Sequence, residues 1–300
     1  MQIHDAASEF YTHLTYFKNY SKETVRRYRQ VITFYANQTG HQALSEISQV
    51  SVQKVLMHGR KERSWSPKTF VMFKLSLEVF FRWCMQMRYM NTNPAATIET
   101  PKVKSPIPTK LTKQQATELL EWVYNYPYPY IFQKYRNHAI FAVALFCGLR
   151  KKEILELQYS DVDLENASLY VRQGKGNKER IVPMNQSLIP ILRVYLIERK
   201  RLRKTCPQFF VSLNRNKGFT ETGIKHLVNT IRSASGIQFT MHKLRHTFAT
   251  LMLEGGCDIY SLSKMMGHND ITTTVIYLAA SVVHLRNQIA KHPLNKENIL

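Results

Sequence analysis

Apolar residues recur at helical spacing along most of the chain, and the places where that spacing stops divide it. Val25, Tyr28, Ile32 and Tyr35 fall on one helical face, with Arg26, Arg27 and Arg29 turned elsewhere. Ser21, just ahead of this run, carries the short hydroxyl that accepts from the orphan N–H groups of a first turn, so it is the predicted N-cap. Ser66-Pro67 is a second start: a cap followed by a proline whose missing N–H is harmless at the first helical position. The long helix it opens places Phe70, Phe73, Leu77, Phe80 and Cys84 inward. Up to residue 100 the reading is all helical, four or so short helices around one small core.

Near Asn93 the periodicity ends. Pro94, Pro101, Pro106 and Pro108 then follow within a short stretch. Each removes a backbone donor and pushes its predecessor toward extended geometry, which predicts a semi-rigid linker over 101–110. Beyond it, Thr112 and Gln115 have capping-box spacing and open a helix through Trp122. After Arg150 the period changes. Residues 167–171 and 180–183 read as two short strands, and Gln173-Gly174-Lys175-Gly176-Asn177-Lys178 between them reads as a hairpin tip. Helical spacing returns at about 187–204, 222–234, 243–254 and 258–266, the last two stopped by Gly255 and Gly267. The predicted fold class is mainly α with a small antiparallel β-sheet, in two domains spanning 1–100 and 111–300.

Charge narrows the function. Lys and Arg number 42 against 21 Asp and Glu, a formal charge of +21. Such an excess attracts polyanions, so nucleic acid or an anionic membrane surface is the expected partner. The apolar runs are short and interrupted by charges, and the N-terminus lacks the apolar core of a signal peptide, which leaves a soluble nucleic-acid protein. Both predicted domains are basic and could face DNA. Cys84, Cys147, Cys206 and Cys257 are widely spaced with no Cys-x-x-Cys pair, which argues against a zinc knuckle or a disulfide framework and for reduced cysteines inside a cell.

The candidate chemistry lies in the second domain. Arg150 closes Gly148-Leu149-Arg150, and Lys175 sits in Gly174-Lys175-Gly176. His242 and Arg245 share Met241-His242-Lys243-Leu244-Arg245-His246. His268 follows Gly267, and Tyr277 comes nine residues later, after Thr272-Thr273-Thr274. Attack of a phenol on a phosphodiester builds negative charge on the nonbridging oxygens, and two arginines are the natural clamp for it. A free phenol with a pKa of about 10 needs cationic surroundings or a base. His242 lies one helical turn before Arg245, so both can address one phosphate.

This ordered set closely resembles the tyrosine recombinase/integrase family, most like its Xer branch, and the resemblance spans essentially the whole chain. It implies a site-specific DNA recombinase that cleaves and religates strands through a covalent 3′-phosphotyrosine, with no metal, cofactor or ATP. In that family's terms Arg150 and Arg245 bind the scissile phosphate, Lys175 is the general acid, His242 is a base or donor, His268 is a donor and Tyr277 is the nucleophile. The 1–100 region would be a SAM-like core-binding domain and 111–300 the catalytic domain. The partners implied are double-stranded recombination sites, three further copies or related recombinases in a synaptic tetramer, and an accessory activator, in the cytoplasm with the nucleoid. Lys151-Lys152 and Leu278-Ala279-Ala280 depart from the best-known Xer proteins. Val282, Val283, Leu285 and Ile289 offer an apolar face for packing on a neighbouring protomer.

Other readings compete. His242 and His246 have the i, i+4 spacing of a zinc pair, but Arg245 between them repels a cation. His246 reads as structural, and Glu153 as an orienter of Arg150. The rival from another class is a DNA-binding protein without cleavage activity, and within the same chemistry a type IB topoisomerase.

Overall fold

The structure, a computed structural model, describes residues 1–40, 43–103, 108–172, 179–268, 270–279, 284, 286 and 289. It divides into two compact units, Met1–Ser105 and Pro106–Leu300.

The first unit is helical: α1 (Ile3–Thr12), extended by one π-helical turn over His13–Phe17, α2 (Lys22–Thr39), α3 (Gln49–Lys61) and α4 (Pro67–Gln86). Both predicted caps are formed. Ser21 Oγ accepts from the Thr24 N–H at 3.2 Å and Ser66 Oγ from that of Thr69 at 3.1 Å, with Pro67 at the first position of α4. The inward positions read from the sequence are buried, Val25 only partly. Phe10 stands edge-on to Tyr28 and Phe80, its ring centre 5.4 and 5.3 Å from theirs, so the core is built on aromatic contacts between α1, α2 and α4.

The second unit runs α5 (Lys113–Asn125), α6 (Ile131–Cys147), α7 (Lys151–Glu156), β1 (Val162–Asp163), β2 (Ser168–Val171), β3 (Arg180–Pro183), α8 (Leu188–Arg201), α9 (Glu221–Ser235), α10 (Met241–Glu254), α11 (Ile259–Met266) and α12 (Thr272–Ala279). Thr112 and Gln115 form the expected capping box, with bonds of 3.1 Å each way. The sheet is antiparallel in the order β1-β2-β3, with Leu169 opposite both Val162 and Val182. The pattern did not single out α6 or β1. α6 is buried from Ala139 to Cys147 except at Phe146, which is half-buried, so it shows no polar face to betray a helical period. β1 is two residues long, and only its pairing with β2 defines it.

α6 is the central support of this unit, packed by α5, α8 and α10. It ends at Gly148, whose φ of +61° needs a residue without Cβ. The turn sends the chain from the buried end of α6 into Arg150 and α7. A smaller apolar cluster joins Phe248, Ala249 and Leu253 of α10 to Leu262 and Met266 of α11 and Tyr277 of α12. The predicted hairpin tip at 173–178, with Lys175, lies outside the described residues, as do Val282, Val283 and Leu285.

Candidate active site

Glu153 is the hub of the site. On α7 it is buried, its side chain 3% exposed, and it engages three arginines from distant segments. Its Oε1 accepts from Arg150 Nη1 at 2.7 Å and Arg180 Nη1 at 3.0 Å. Its Oε2 accepts from the Arg150 backbone N–H and from Arg180 Nη2, both at 2.8 Å, and lies 3.8 Å from Arg245 Nη1. Burial pushes the Glu153 carboxyl up, but the hydrogen-bonded Arg180 and then Arg150 overcome this and hold it at about 2. The carboxylate is therefore ionised throughout the physiological range and cannot serve as an acid. It fixes three guanidinium groups whose charge it only partly cancels.

Each arginine is also tied to backbone. Arg245, 2% exposed on α10, donates from Nη1 to the Gly148 carbonyl and from Nη2 to that of Met266, both at 2.6 Å. Arg150 Nη2 donates to the Gly267 carbonyl at 3.3 Å, and Arg180 Nε to that of Met265 at 2.7 Å. The C-terminal carbonyls of α11 thus converge on the three arginines, which suits the negative end of a helix. Burial, with the charges of Arg150 and Arg180, lowers Arg245 to about 10, still fully protonated at neutral pH.

The two histidines that sit beside Tyr277 are neutral. His268 Nε2 lies 3.2 Å from Arg245 Nη2, and because a guanidinium can only donate, this nitrogen accepts. The ring proton is then on Nδ1, which donates to Thr274 Oγ1 at 2.8 Å. Burial, then Arg245 and Arg150, depress His268 to about 4. In this state His268 orients Arg245, and it becomes an Nε2 donor only on gaining a proton. The Tyr277 ring stacks on His268 at 6.4 Å, and its hydroxyl lies 2.8 Å from His246 Nδ1. His246 is lowered to about 4 by burial, His242 and Arg245. Burial raises the phenol pKa, opposed by the cationic Arg245 and Arg150.

His242, exposed in the first turn of α10, stands edge-on to His246 with ring centres 4.2 Å apart. Thr240 caps this helix by accepting from the Lys243 N–H at 3.0 Å. From here an open groove of about 550 Å³ runs between α9 and α10, lined by Arg150, Lys151, Lys225, Arg232, His242 and Arg245.

Arg150, His242, Arg245, His268 and Tyr277, picked out in the sequence, are therefore drawn together from four segments. Arg180 was missed. Its one readable cue is strand alternation, which puts it on the same face as the buried Val182. His246, which its place inside a helix marks as structural, contacts Tyr277 across 31 residues of sequence.

A phenol buried beside clustered arginines on a helical scaffold is an arrangement that suits the tyrosine-dependent strand-transfer class of proteins. Residues 109–284 match the phage integrase family. The chain is 31% identical to tyrosine recombinase XerC of Oceanobacillus iheyensis, over 95% of this chain and 94% of that protein. It is 29% identical to tyrosine recombinase XerD of Staphylococcus haemolyticus, over 92% and 94% respectively. The XerH site-specific recombinase bound to palindromic difH substrate, a post-cleavage complex, shares the fold with a TM-score of 0.75 at 20% identity, over 95% of this chain and 84% of that one. The chain belongs to the phage integrase family, on its Xer-like side. It is a tyrosine-type site-specific recombinase, an enzyme that cleaves and rejoins DNA.

Proposed function

We propose that Tyr277 is the nucleophile of this recombinase and that the product of its attack is a 3′-phosphotyrosine. The observation that carries this reading is that the Tyr277 ring stacks on His268, whose Nε2 accepts from Arg245 at 3.2 Å, with Arg150 and Arg245 gathered on the one Glu153 carboxylate. The scissile phosphate sits against these two guanidinium groups, which match phosphate oxygens with paired donors and stabilise the charge that develops in line. His242 adds a hydrogen-bond donor from the first turn of α10, and His268 becomes a donor once the phosphate favours its protonation. Lys175, on the connection between β2 and β3, gives its proton to the leaving 5′ oxygen. The energy of the diester is kept in the phosphotyrosine, so religation reverses the same steps.

The substrate is double-stranded DNA carrying a defined site. Lys151, Lys225 and Arg232 in the groove beside Arg150 hold backbone phosphates and set the register. The helical first unit binds the core of the site, and four protomers pair two sites in the cytoplasm, under control of an accessory activator. Among the described residues no helix is long and apolar enough to cross a membrane.

The test is a nicked suicide-substrate assay on fragments of the source genome, without divalent metal, comparing wild type with Tyr277→Phe. A covalent protein–DNA adduct that survives SDS is expected with wild type alone. An adduct with both proteins moves the nucleophile elsewhere. Tight specific binding with no adduct from either points to a binding protein without cleavage or to a missing activator.

A further inference from the structure

The geometry points to His246 as the proton acceptor for Tyr277, a catalytic role for a histidine outside the phosphate clamp. This inference rests on the reading of Tyr277 as nucleophile. The phenol hydroxyl is 2.8 Å from His246 Nδ1, within range for direct proton transfer. The tyrosine is only 2% exposed, so water has little access to take the proton instead. Stacking on His268 fixes the plane of the tyrosine ring, and the Thr274–His268–Arg245 chain fixes His268. His246 itself is set by the helical spacing of α10 against His242.

The electrostatics explain why the pair rests until DNA arrives. The groups facing His246 are His242 and Arg245 on its own helix and Tyr277 on α12, with Arg150 and His268 around the same phenol. With no anion present, burial and the neighbouring cations keep His246 neutral and a weak base, while burial keeps the phenol protonated. A phosphodiester seated on Arg150 and Arg245 places negative charge beside these cations and strengthens His246 as a base. As the Tyr277 oxygen bonds to phosphorus, the O–H bond breaks and its proton passes to Nδ1, leaving an imidazolium. The P–O5′ bond breaks at the same centre, and the 5′ oxygen takes a proton from Lys175. Religation returns the His246 proton to the phenol. The substrate thus switches on its own nucleophile, and the DNA-free enzyme is protected from stray attack.

The experiment measures single-turnover cleavage of the nicked duplex selected by wild type, across pH, using full-length wild type, His246→Asn and Tyr277→Phe. Asparagine keeps a hydrogen-bonding atom near Nδ1 but cannot hold the proton. His246→Asn is expected to bind the duplex as wild type does and to cleave about 10²-fold to 10³-fold more slowly at neutral pH. Its rate should keep climbing with pH where the wild-type rate levels off. Installing 3,5-difluorotyrosine at position 277, which lowers the phenol pKa, should restore much of the variant's rate. In the wild-type background the same replacement should leave the inflection of the pH profile in place, because that inflection belongs to His246. This last measurement stands even if His246→Asn folds poorly. Cleavage by His246→Asn within about threefold of wild type with the same profile would overturn the assignment. So would a slow variant that difluorotyrosine fails to rescue, or a wild-type inflection that moves down with the phenol. An adduct from Tyr277→Phe would instead sink the underlying nucleophile reading.

Discussion

Replacing Glu153 by Gln leaves the shape of the arginine hub nearly intact and removes its charge. Arg180 and Arg245, with side chains 8% and 2% exposed, would then keep their charges with no carboxylate of the described residues in ion-pair range. Breaking a buried ion pair from one side costs about 3–5 kcal/mol. The titration of the same group gives a second measure. A carboxyl held at about 2 in the folded chain, against 4.5 when free, contributes about 3 kcal/mol wherever it is ionised in both states. Because the folded value is the lower one, this contribution is complete above about pH 4.5 and is lost as pH falls toward 2. In the second unit, Pro106–Leu300, a loss of this size lowers Tm by roughly 6–20 °C. Thermal unfolding of wild type and Glu153→Gln, followed by circular dichroism from neutral to acid pH, tests both numbers at once. The two Tm values should be far apart at neutral pH and converge in acid. A neutral-pH gap under about 3 °C, or one that persists unchanged in acid, would refute the view that the Glu153 charge organises the hub.

Other consequences are as specific. At Gly148 an added Cβ would lie 2.2 Å from the Phe248 ring at a φ of +61°. Gly148→Ala should therefore cost roughly 2–4 kcal/mol in urea unfolding. It should also weaken cleavage, because the Gly148 carbonyl holds Arg245; a loss under about 1 kcal/mol would reject the close-packing argument. His246 and His268, held at about 4 against an ordinary 6.5, bind fewer protons folded than unfolded between those values. Stability should therefore fall as pH drops from about 6.5 to 4, and His268→Asn should flatten part of that slope in urea titrations across pH. Deleting residues 281–300 should weaken pairing of two sites more than binding of one, and equal loss of both in gel-shift titrations would reject a role for this segment in assembly.

Much of the fold was legible in the sequence because its signals are local. Ser21, Ser66 and Thr112 each satisfy an N–H group three residues on, and α10 and α11 end at Gly255 and Gly267, in turn and left-handed geometry respectively. Arg150, His242, Arg245, His268 and Tyr277 could be picked out as candidates because phosphoryl transfer admits few residue types and their order is distinctive; Arg180 could not, because it meets Glu153 only through the fold. α6 was not, since a helix buried on nearly every side carries no amphipathic period.

What the sequence determined by itself was therefore the class of elements and where several of them start, together with a list of candidate site residues, all of which depend on neighbours within a turn or on side-chain chemistry. Tertiary structure alone decided how those members are charged and oriented. Arg180 reaches Glu153 across 27 residues, Arg245 reaches Gly148 across 97, and Tyr277 finds His246 across 31. Protonation follows from those meetings, because burial and neighbouring charge, rather than residue type, set whether a histidine at neutral pH is a cation, an acceptor or a base.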